Sequence, residues 1–136
     1  MATADVADPE LAGIAWDLEP LLDGAAGVDA LLEEAQRRAD AFAAAHAGKV
    51  AELDGPGLVA AMRELEALQE LVGRAGSYAA LAFSVATADP QRGALLQLVQ
   101  ERGTQIETAL LFFELEWAAL DDERAEALLA LSLIHI

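Results

Sequence analysis

The chain has 136 residues, of which 55% are hydrophobic and 24% charged; this excludes a disordered protein and suggests one domain or a part of a larger one. Its 24 acidic residues against 8 basic ones give a net charge of −16, which disfavours binding to nucleic acids and to anionic membrane surfaces. Cysteine is absent, which excludes disulfides, thiolate nucleophiles and zinc–thiolate sites.

The first 27 residues are expected to be irregular, because proline and glycine recur there. Residues 1–13 carry acids where a signal peptide needs positive charge, and no stretch of the chain approaches about 20 uninterrupted apolar residues. We therefore expect a soluble, cytoplasmic protein. Five apolar residues of this segment are expected to pack onto the first helices: Ile14, Trp16, Leu18, Leu21 and Leu22.

The spacing of apolar residues beyond this segment predicts four helices and no strand. The expected bounds, in chain order, are Val28 to Ala47, Leu58 to about Val85, Pro90 to Leu120, and Glu123 to Leu131. The short connection between the second and third helices predicts that they run antiparallel. The expected fold class is therefore all-α, an antiparallel helical bundle built on a long helical hairpin, with residues 28–130 as its helical domain.

Local signals support these bounds. Gly48 is expected to end the first helix in a left-handed conformation, and Asp89 to cap the third helix ahead of Pro90. Asp121 or Asp122 is expected to cap the fourth helix. The second helix is expected to continue through Gly73 and Gly76, although each costs about 1 kcal/mol relative to alanine. Small residues there favour the close approach of another helix. Three ion pairs are expected at a spacing of four residues: Glu33–Arg37, Glu34–Arg38 and Glu70–Arg74.

Two acids, Glu114 and Glu116, interrupt the apolar stretch LLFFELEWAAL at residues 110–120. Their side chains are two residues apart on one helix and diverge by about 200°, so they cannot act on one substrate atom. We expect them to reach solvent or to pair with arginines. The helix around them is apolar on nearly every side, which predicts that more than the other three helices is needed to bury it.

No catalytic or metal-binding constellation is found. A zinc peptidase needs H-E-x-x-H on a helix, and neither His46 nor His135 begins that motif. His46 is interpreted as a solvated residue near a helix C-terminus. None of the three serines lies in a G-x-S-x-G context: Ser77, Ser84 and Ser132. No glycine-rich phosphate loop is present either. Tyr78 and Trp16 are interpreted as packing residues. The expected catalytic, cofactor-binding and metal-ligating residues of this chain are therefore none.

Three stretches together resemble one family. They are WDLEPLL at residues 16–22, GSYAALAFSVATADP at 76–90 and LLFFELEWAAL at 110–120. Their order and spacing are similar to the N-terminal helical region of the oligoendopeptidase F family, which are zinc metallopeptidases of the thimet-oligopeptidase type. The ELEAL run at residues 64–68 agrees with this, and the resemblance covers roughly residues 14–130.

The resemblance implies a much longer, almost entirely helical parent protein with a deep channel. Such a parent would bind zinc through a distal H-E-x-x-H helix and a downstream glutamate, and would hydrolyse short oligopeptides. The present chain would supply part of the channel wall and would lack the C-terminal catalytic domain, so no metal or catalytic residue is carried over to it. Alone it is expected to be inactive.

The last residues, LSLIHI at 131–136, differ in composition from the acidic, alanine-rich chain before them. They resemble translated adapter sequence, and we expect them to be non-native; the alternative is a genuine apolar terminus that docks on the bundle. An alternative for the whole chain is a standalone acidic helical bundle without catalytic activity, which binds or dimerises through its apolar third helix.

Overall fold

The computed structural model describes residues 14, 17–18, 20–22 and 24–133, and of residues 131–133 the backbone alone. This part of the chain is all-helical, and no β-strand occurs within it. The elements are α1 (Gly24–His46), a 3-10 helix (Val50–Glu52), α2 (Gly55–Val85), α3 (Pro90–Ala118) and α4 (Asp122–Leu133). The predicted all-α class is thus confirmed.

Helices α1, α2 and α3 pack against one another as a bundle, and α4 packs on α2. One core cluster joins the start of α1 to the end of α2, where Leu32 meets Ala79. Another joins the opposite ends, with Phe42 of α1, Leu58 of α2 and Phe113 of α3. Because each cluster combines the start of one helix with the end of the next, α2 runs antiparallel to both α1 and α3, as predicted.

The buried face of α2 consists largely of small residues. Four of its buried residues are alanines: Ala61, Ala75, Ala79 and Ala82. Side chains of this size let the neighbouring helices approach closely. Most of the largest fully buried side chains lie on the other helices, with Leu68 the exception on α2: Phe42 and Leu32 on α1, Ile106 on α3 and Leu128 on α4.

Helix α1 begins at Gly24, four residues before the predicted start at Val28. Gly27 was expected to interrupt a helix, but it lies inside α1 beside the buried Leu22. A Cβ atom at Gly27 would lie only 2.9 Å from Leu22 Cγ, so the missing side chain makes room for this contact. Of the predicted apolar patch, Leu22 is buried as expected and Ile14 is exposed, whereas Trp16 lies outside the described residues.

Helix α2 begins three residues earlier than predicted, at Gly55, because Asp54 caps it by accepting a hydrogen bond from Gly57 N at 2.7 Å. The short 3-10 helix before it was not predicted. The expected passage through Gly73 and Gly76 is confirmed, but within the described residues no atom would lie within 4 Å of a Cβ at either position. In the described part of the bundle, no helix therefore approaches these glycines closely, contrary to the prediction.

The capping predictions for α3 and α4 are confirmed. Asp89 accepts a hydrogen bond from Gln91 N at 2.9 Å at the start of α3, and Asp121 accepts one from Arg124 N at 2.7 Å at the start of α4. Helix α3 ends at Ala118, two residues before the predicted Leu120, and α4 continues to Leu133, two residues beyond its predicted end. Residues 134–136 of the expected non-native tail lie outside the described part.

The predicted Glu34–Arg38 ion pair is present, with Arg38 Nε 2.6 Å from Glu34 Oε1. The other two predictions were wrong. Arg37 pairs with Glu34, three residues away, rather than with Glu33. Arg74 donates a hydrogen bond to the carbonyl of Leu21 at 3.0 Å instead of pairing with Glu70, because the segment before α1 lies against α2.

Candidate functional site

The two acids of the 110–120 stretch have different environments. Glu114 is exposed, whereas Glu116 is partly buried and faces the loop after α1. Glu116 Oε1 accepts a hydrogen bond from Gly48 N at 2.6 Å, and Oε2 accepts one from Val50 N at 3.1 Å. The predicted divergence of the two side chains is confirmed. The expectation that Glu116 reaches solvent or pairs with arginine was wrong, because its carboxylate binds backbone N–H groups.

Gly48 has the predicted left-handed conformation, with φ of +76°. This conformation turns the chain sharply after α1, so that the N–H groups of Gly48 and Val50 point towards α3, whereas that of Lys49 between them donates to the carbonyl of His46 at 2.9 Å. The contact between Glu116 and this loop was not predicted. A signal for it existed in the glycine itself, since backbone that turns through the left-handed region often leaves N–H groups that need an anionic acceptor.

The remaining candidate residues have structural contacts. His46, the last residue of α1, is partly buried, and its ring centroid lies 4.5 Å from that of Phe42, so it packs rather than being fully solvated. Ser84 Oγ donates a hydrogen bond to the carbonyl of Ala80 at 2.7 Å, and Ser77 is exposed. Tyr78 packs against the first core cluster, as predicted.

Other predicted site residues cannot be placed. His135 and Trp16 lie outside the described residues, as does the side chain of Ser132. Among the residues that are described, no group of three or more His, Asp and Glu side chains is arranged to hold a metal ion. No helix of the described chain is long and apolar enough to cross a membrane.

One face of α3 is left uncovered near its C-terminal end. Leu111 is 47% exposed and Leu115 is 62% exposed, and their spacing of four residues places them side by side. Glu107 and Glu114 flank them and are exposed as well. We call Leu111 and Leu115 the α3 strip. The opposite face of the same helix is in the core, where Ile106 and Phe113 are buried. The bundle thus covers α3 on one side, as predicted for a helix that is apolar nearly all round.

A second surface feature is a groove between α1 and α2, with a volume of about 390 Å³. Its lining combines apolar residues at the base with charged residues at the edge: Phe42, Ala67, Leu68, Arg38, Arg63 and Glu64. Glu34 holds the Arg38 side chain in place through the 2.6 Å ion pair. Among the described carboxylates, none forms an ion pair with Arg63. We call this feature the α1–α2 groove; it combines both signs of charge around an apolar floor.

Sequence reasoning did not find the groove. Arg38 belongs to α1 and Arg63 to α2, and only the antiparallel packing of these helices brings them to one opening. The alanine at position 67 gave a weak signal, because a small residue on the inner face of a helix leaves space beside its neighbours.

The fold defines an all-α helical bundle. No family model matches the chain, and no curated protein sequence or solved structure shows significant similarity to it.

Proposed function

We propose that this chain is the N-terminal helical region of an oligoendopeptidase F-like zinc metallopeptidase of the cytoplasm. In this proposal the helices form part of the wall of a substrate channel for short oligopeptides. The zinc ion and the H-E-x-x-H helix belong to a catalytic domain beyond residue 130, and the present chain supplies neither ligands to the metal nor catalytic groups.

The α3 strip is the observation that carries this proposal. It lies inside the stretch LLFFELEWAAL, one of the three stretches on which the resemblance depends, and two leucines there are half exposed. A neighbouring domain that packs on α3 would remove these side chains from water, with a gain of about 25 cal/mol per Å² of apolar surface.

Packing between the other two stretches also supports the proposal. Leu22, at the end of WDLEPLL, shares a core cluster with Ala79 of GSYAALAFSVATADP, and Tyr78 packs against the same cluster. Arg74, just before the second stretch, donates to the carbonyl of Leu21. Segments whose order suggested the family are therefore in contact at one end of the bundle.

The test is to sequence the genomic locus past codon 130. The expected result is a reading frame that continues to an H-E-x-x-H motif in a predicted helix; a stop codon near this position would contradict the proposal. A fluorogenic oligopeptide assay on the purified 136-residue chain with added zinc is expected to show no turnover, because the metal ligands lie elsewhere in the parent.

The second candidate function is a standalone binding module that dimerises through α3. The same exposed Leu115 favours it, because two copies can bury their leucines against each other. The flanking Glu107 and Glu114 oppose it, because two like-charged rims would then face each other. Light scattering on the wild-type chain and on Leu115→Glu separates the two candidates: a dimer that the substitution converts to a monomer supports the module.

A further inference from the structure

Helix α3 presents a straight line of small and apolar side chains to solvent. Five exposed residues follow one another along it at alternating spacings of four and three residues: Thr104, Thr108, Leu111, Leu115 and Ala118. We call them the α3 seam; it contains the α3 strip and spans about 21 Å of the helix. Alternation of three and four residues is the spacing at which one helix packs lengthwise on another. The exposed face of α3 therefore has the geometry that a second helix requires.

The two threonines of the α3 seam can be covered without leaving a hydroxyl donor unpaired. Thr104 Oγ1 donates a hydrogen bond to the carbonyl of Gln100 at 2.9 Å, and Thr108 Oγ1 donates one to the carbonyl of Thr104 at 2.7 Å. Because both protons are already bound within α3, burial of these side chains breaks no hydrogen bond that they donate. A docked helix would cover them together with Leu111 and Leu115, which are 47% and 62% exposed.

One edge of the α3 seam is acidic. Glu107 and Glu114 are exposed, and each directly precedes a seam residue, so both lie along the same side of the line. Arg102 is the only basic residue between positions 101 and 118, and its position is on neither the seam nor this edge. In packed helix pairs, charges at such flanking positions select a partner of opposite charge. A helix that docks on the seam therefore needs lysine or arginine facing these two glutamates.

A second copy of the chain does not meet this requirement. In an antiparallel dimer through α3, Glu107 and Glu114 of one copy would face the same two glutamates of the other. In a parallel dimer they would face the opposite edge of the seam, where no residue is basic: Gln105, Phe112 and Ala119. The net charge of −16 on each copy adds a general repulsion.

We propose that the α3 seam docks an amphipathic helix that has a ridge of apolar side chains and carries lysine or arginine on the side facing Glu107 and Glu114. The inference rests on the proposed function, because it assigns this helix to the part of the parent beyond residue 130. The ridge lies along Leu111 and Leu115 and removes them from water. Exposed ion pairs contribute little on their own, so the basic flank selects and orients the helix while the apolar ridge supplies the affinity.

The test titrates the 136-residue chain, labelled with ¹⁵N, with synthetic helical peptides that carry leucine at alternating spacings of three and four residues. The peptide with lysine at the flanking positions is expected to shift the amide signals of Leu111 and Leu115 saturably, with a Kd on the order of 10 μM. The same peptide with glutamate at the flanking positions is expected to bind at least about tenfold more weakly. A lysine-flanked peptide with glutamine in place of leucine measures general attraction to an acidic protein, and is also expected to bind at least about tenfold more weakly.

A charge reversal tests the acidic edge. The double variant Glu107→Lys with Glu114→Lys is expected to reverse the preference, so that the glutamate-flanked peptide binds more tightly than the lysine-flanked one. The matched control, Glu66→Lys with Glu70→Lys, makes the same change of charge at exposed positions of α2 and is expected to keep the original preference. Thermal melts followed by circular dichroism confirm that each variant is folded.

A charge-neutral pair of variants tests the apolar contact. Leu111→Gln with Leu115→Gln is expected to weaken binding of the lysine-flanked peptide at least about tenfold. Met62→Gln replaces a 51% exposed side chain on α2 and is expected to leave binding unchanged.

Three results would overturn the inference: equal binding of the lysine-flanked and glutamate-flanked peptides, an unchanged preference in the variant with both edge glutamates reversed, and an equal loss of binding in the leucine variant and Met62→Gln. None of them affects the proposed function, which depends on the reading frame past codon 130. A stop codon near that position would overturn the proposed function and, with it, the assignment of the docked helix to the parent, even where the lysine-flanked peptide binds.

Discussion

The carboxylate of Glu116 on α3 binds the backbone of Gly48, with Oε1 2.6 Å from the amide nitrogen of a glycine in the left-handed conformation. The other oxygen of this carboxylate accepts from Val50 N at 3.1 Å. One side chain therefore accepts hydrogen bonds from two loop N–H groups that lie outside the helices. These bonds hold the loop between α1 and α2 against α3.

Replacing Glu116 with alanine is expected to destabilise the chain by about 1–3 kcal/mol, because two charge-assisted hydrogen bonds are lost and Val50 N is left in a partly buried position. Glu114→Ala is the matched control, since that acid is exposed on the same helix. Its expected change is within about 0.5 kcal/mol. Urea unfolding followed by circular dichroism measures both; equal losses in the two variants would show that the contact with the loop contributes nothing.

Arg124 of α4 donates to the carbonyl of Leu53 at 2.8 Å and to that of Ala51 at 3.4 Å, and so ties α4 to the chain just before α2. Arg124→Ala is expected to cost about 1 kcal/mol and to loosen α4 first. Hydrogen exchange measured by NMR should show faster exchange in α4 with little change at Ile106 in the core. Unchanged exchange throughout α4 would contradict this role.

Gly73 lies within α2 on an exposed face, and no atom of the described structure would meet a Cβ there. Gly73→Ala is therefore expected to stabilise the chain by about 0.5–1 kcal/mol, since alanine restricts the unfolded backbone and favours the helix.

Gly48→Ala provides the opposite case. A φ of +76° is unfavourable for any residue with a side chain, so this substitution is expected to destabilise by about 1–2 kcal/mol. Thermal melts of the two variants should shift in opposite directions, and a loss of stability in Gly73→Ala would show that the position is covered by something outside the bundle.

The exposed leucines of α3 are expected to contribute little to the stability of the isolated chain. Leu115→Gln should change the free energy of unfolding by less than about 0.5 kcal/mol, whereas Ile106→Ala on the buried face of the same helix should cost about 2–5 kcal/mol. Leu115→Gln should also reduce binding of a hydrophobic dye. A large destabilisation by Leu115→Gln would mean that the strip is already buried in solution.

The pKa of Glu34 lies below its ordinary value, chiefly because the Arg38 side chain donates a hydrogen bond to its carboxylate. Desolvation opposes this lowering, and the charges of Arg37 and Arg38 add to it. Arg38→Gln is expected to raise the pKa of Glu34 more than Arg37→Gln does, as measured by NMR titration of the carboxyl carbon.

A lowered pKa in the folded state also fixes the direction of the pH dependence. The folded chain holds Glu34 ionised more strongly than the unfolded chain does, so the stabilisation is complete above the unfolded pKa and fades as the pH falls through the folded one. The stability difference between wild type and Arg38→Gln should therefore shrink on acidification; a difference that grows in acid would contradict this assignment.

Much of the fold could be predicted because its signals are local. The caps at Asp89 and Asp121, the left-handed Gly48 and the passage of α2 through two glycines each depend on residues within about one helical turn. The predicted ion pairs failed where a distant partner competed, as when Arg74 bound the carbonyl of Leu21, 53 residues away along the chain.

The sequence by itself determined the helical class, the approximate ends of the helices and the incomplete burial of α3, since periodicity and composition decide these. Only the tertiary structure decided that Glu116 binds a loop 68 residues away and that Arg38 and Arg63 share one groove. The physical reason is that side chains of different helices meet according to the packing of the whole bundle. That packing depends on how many apolar surfaces fit together at once, and a local sequence pattern does not predict it.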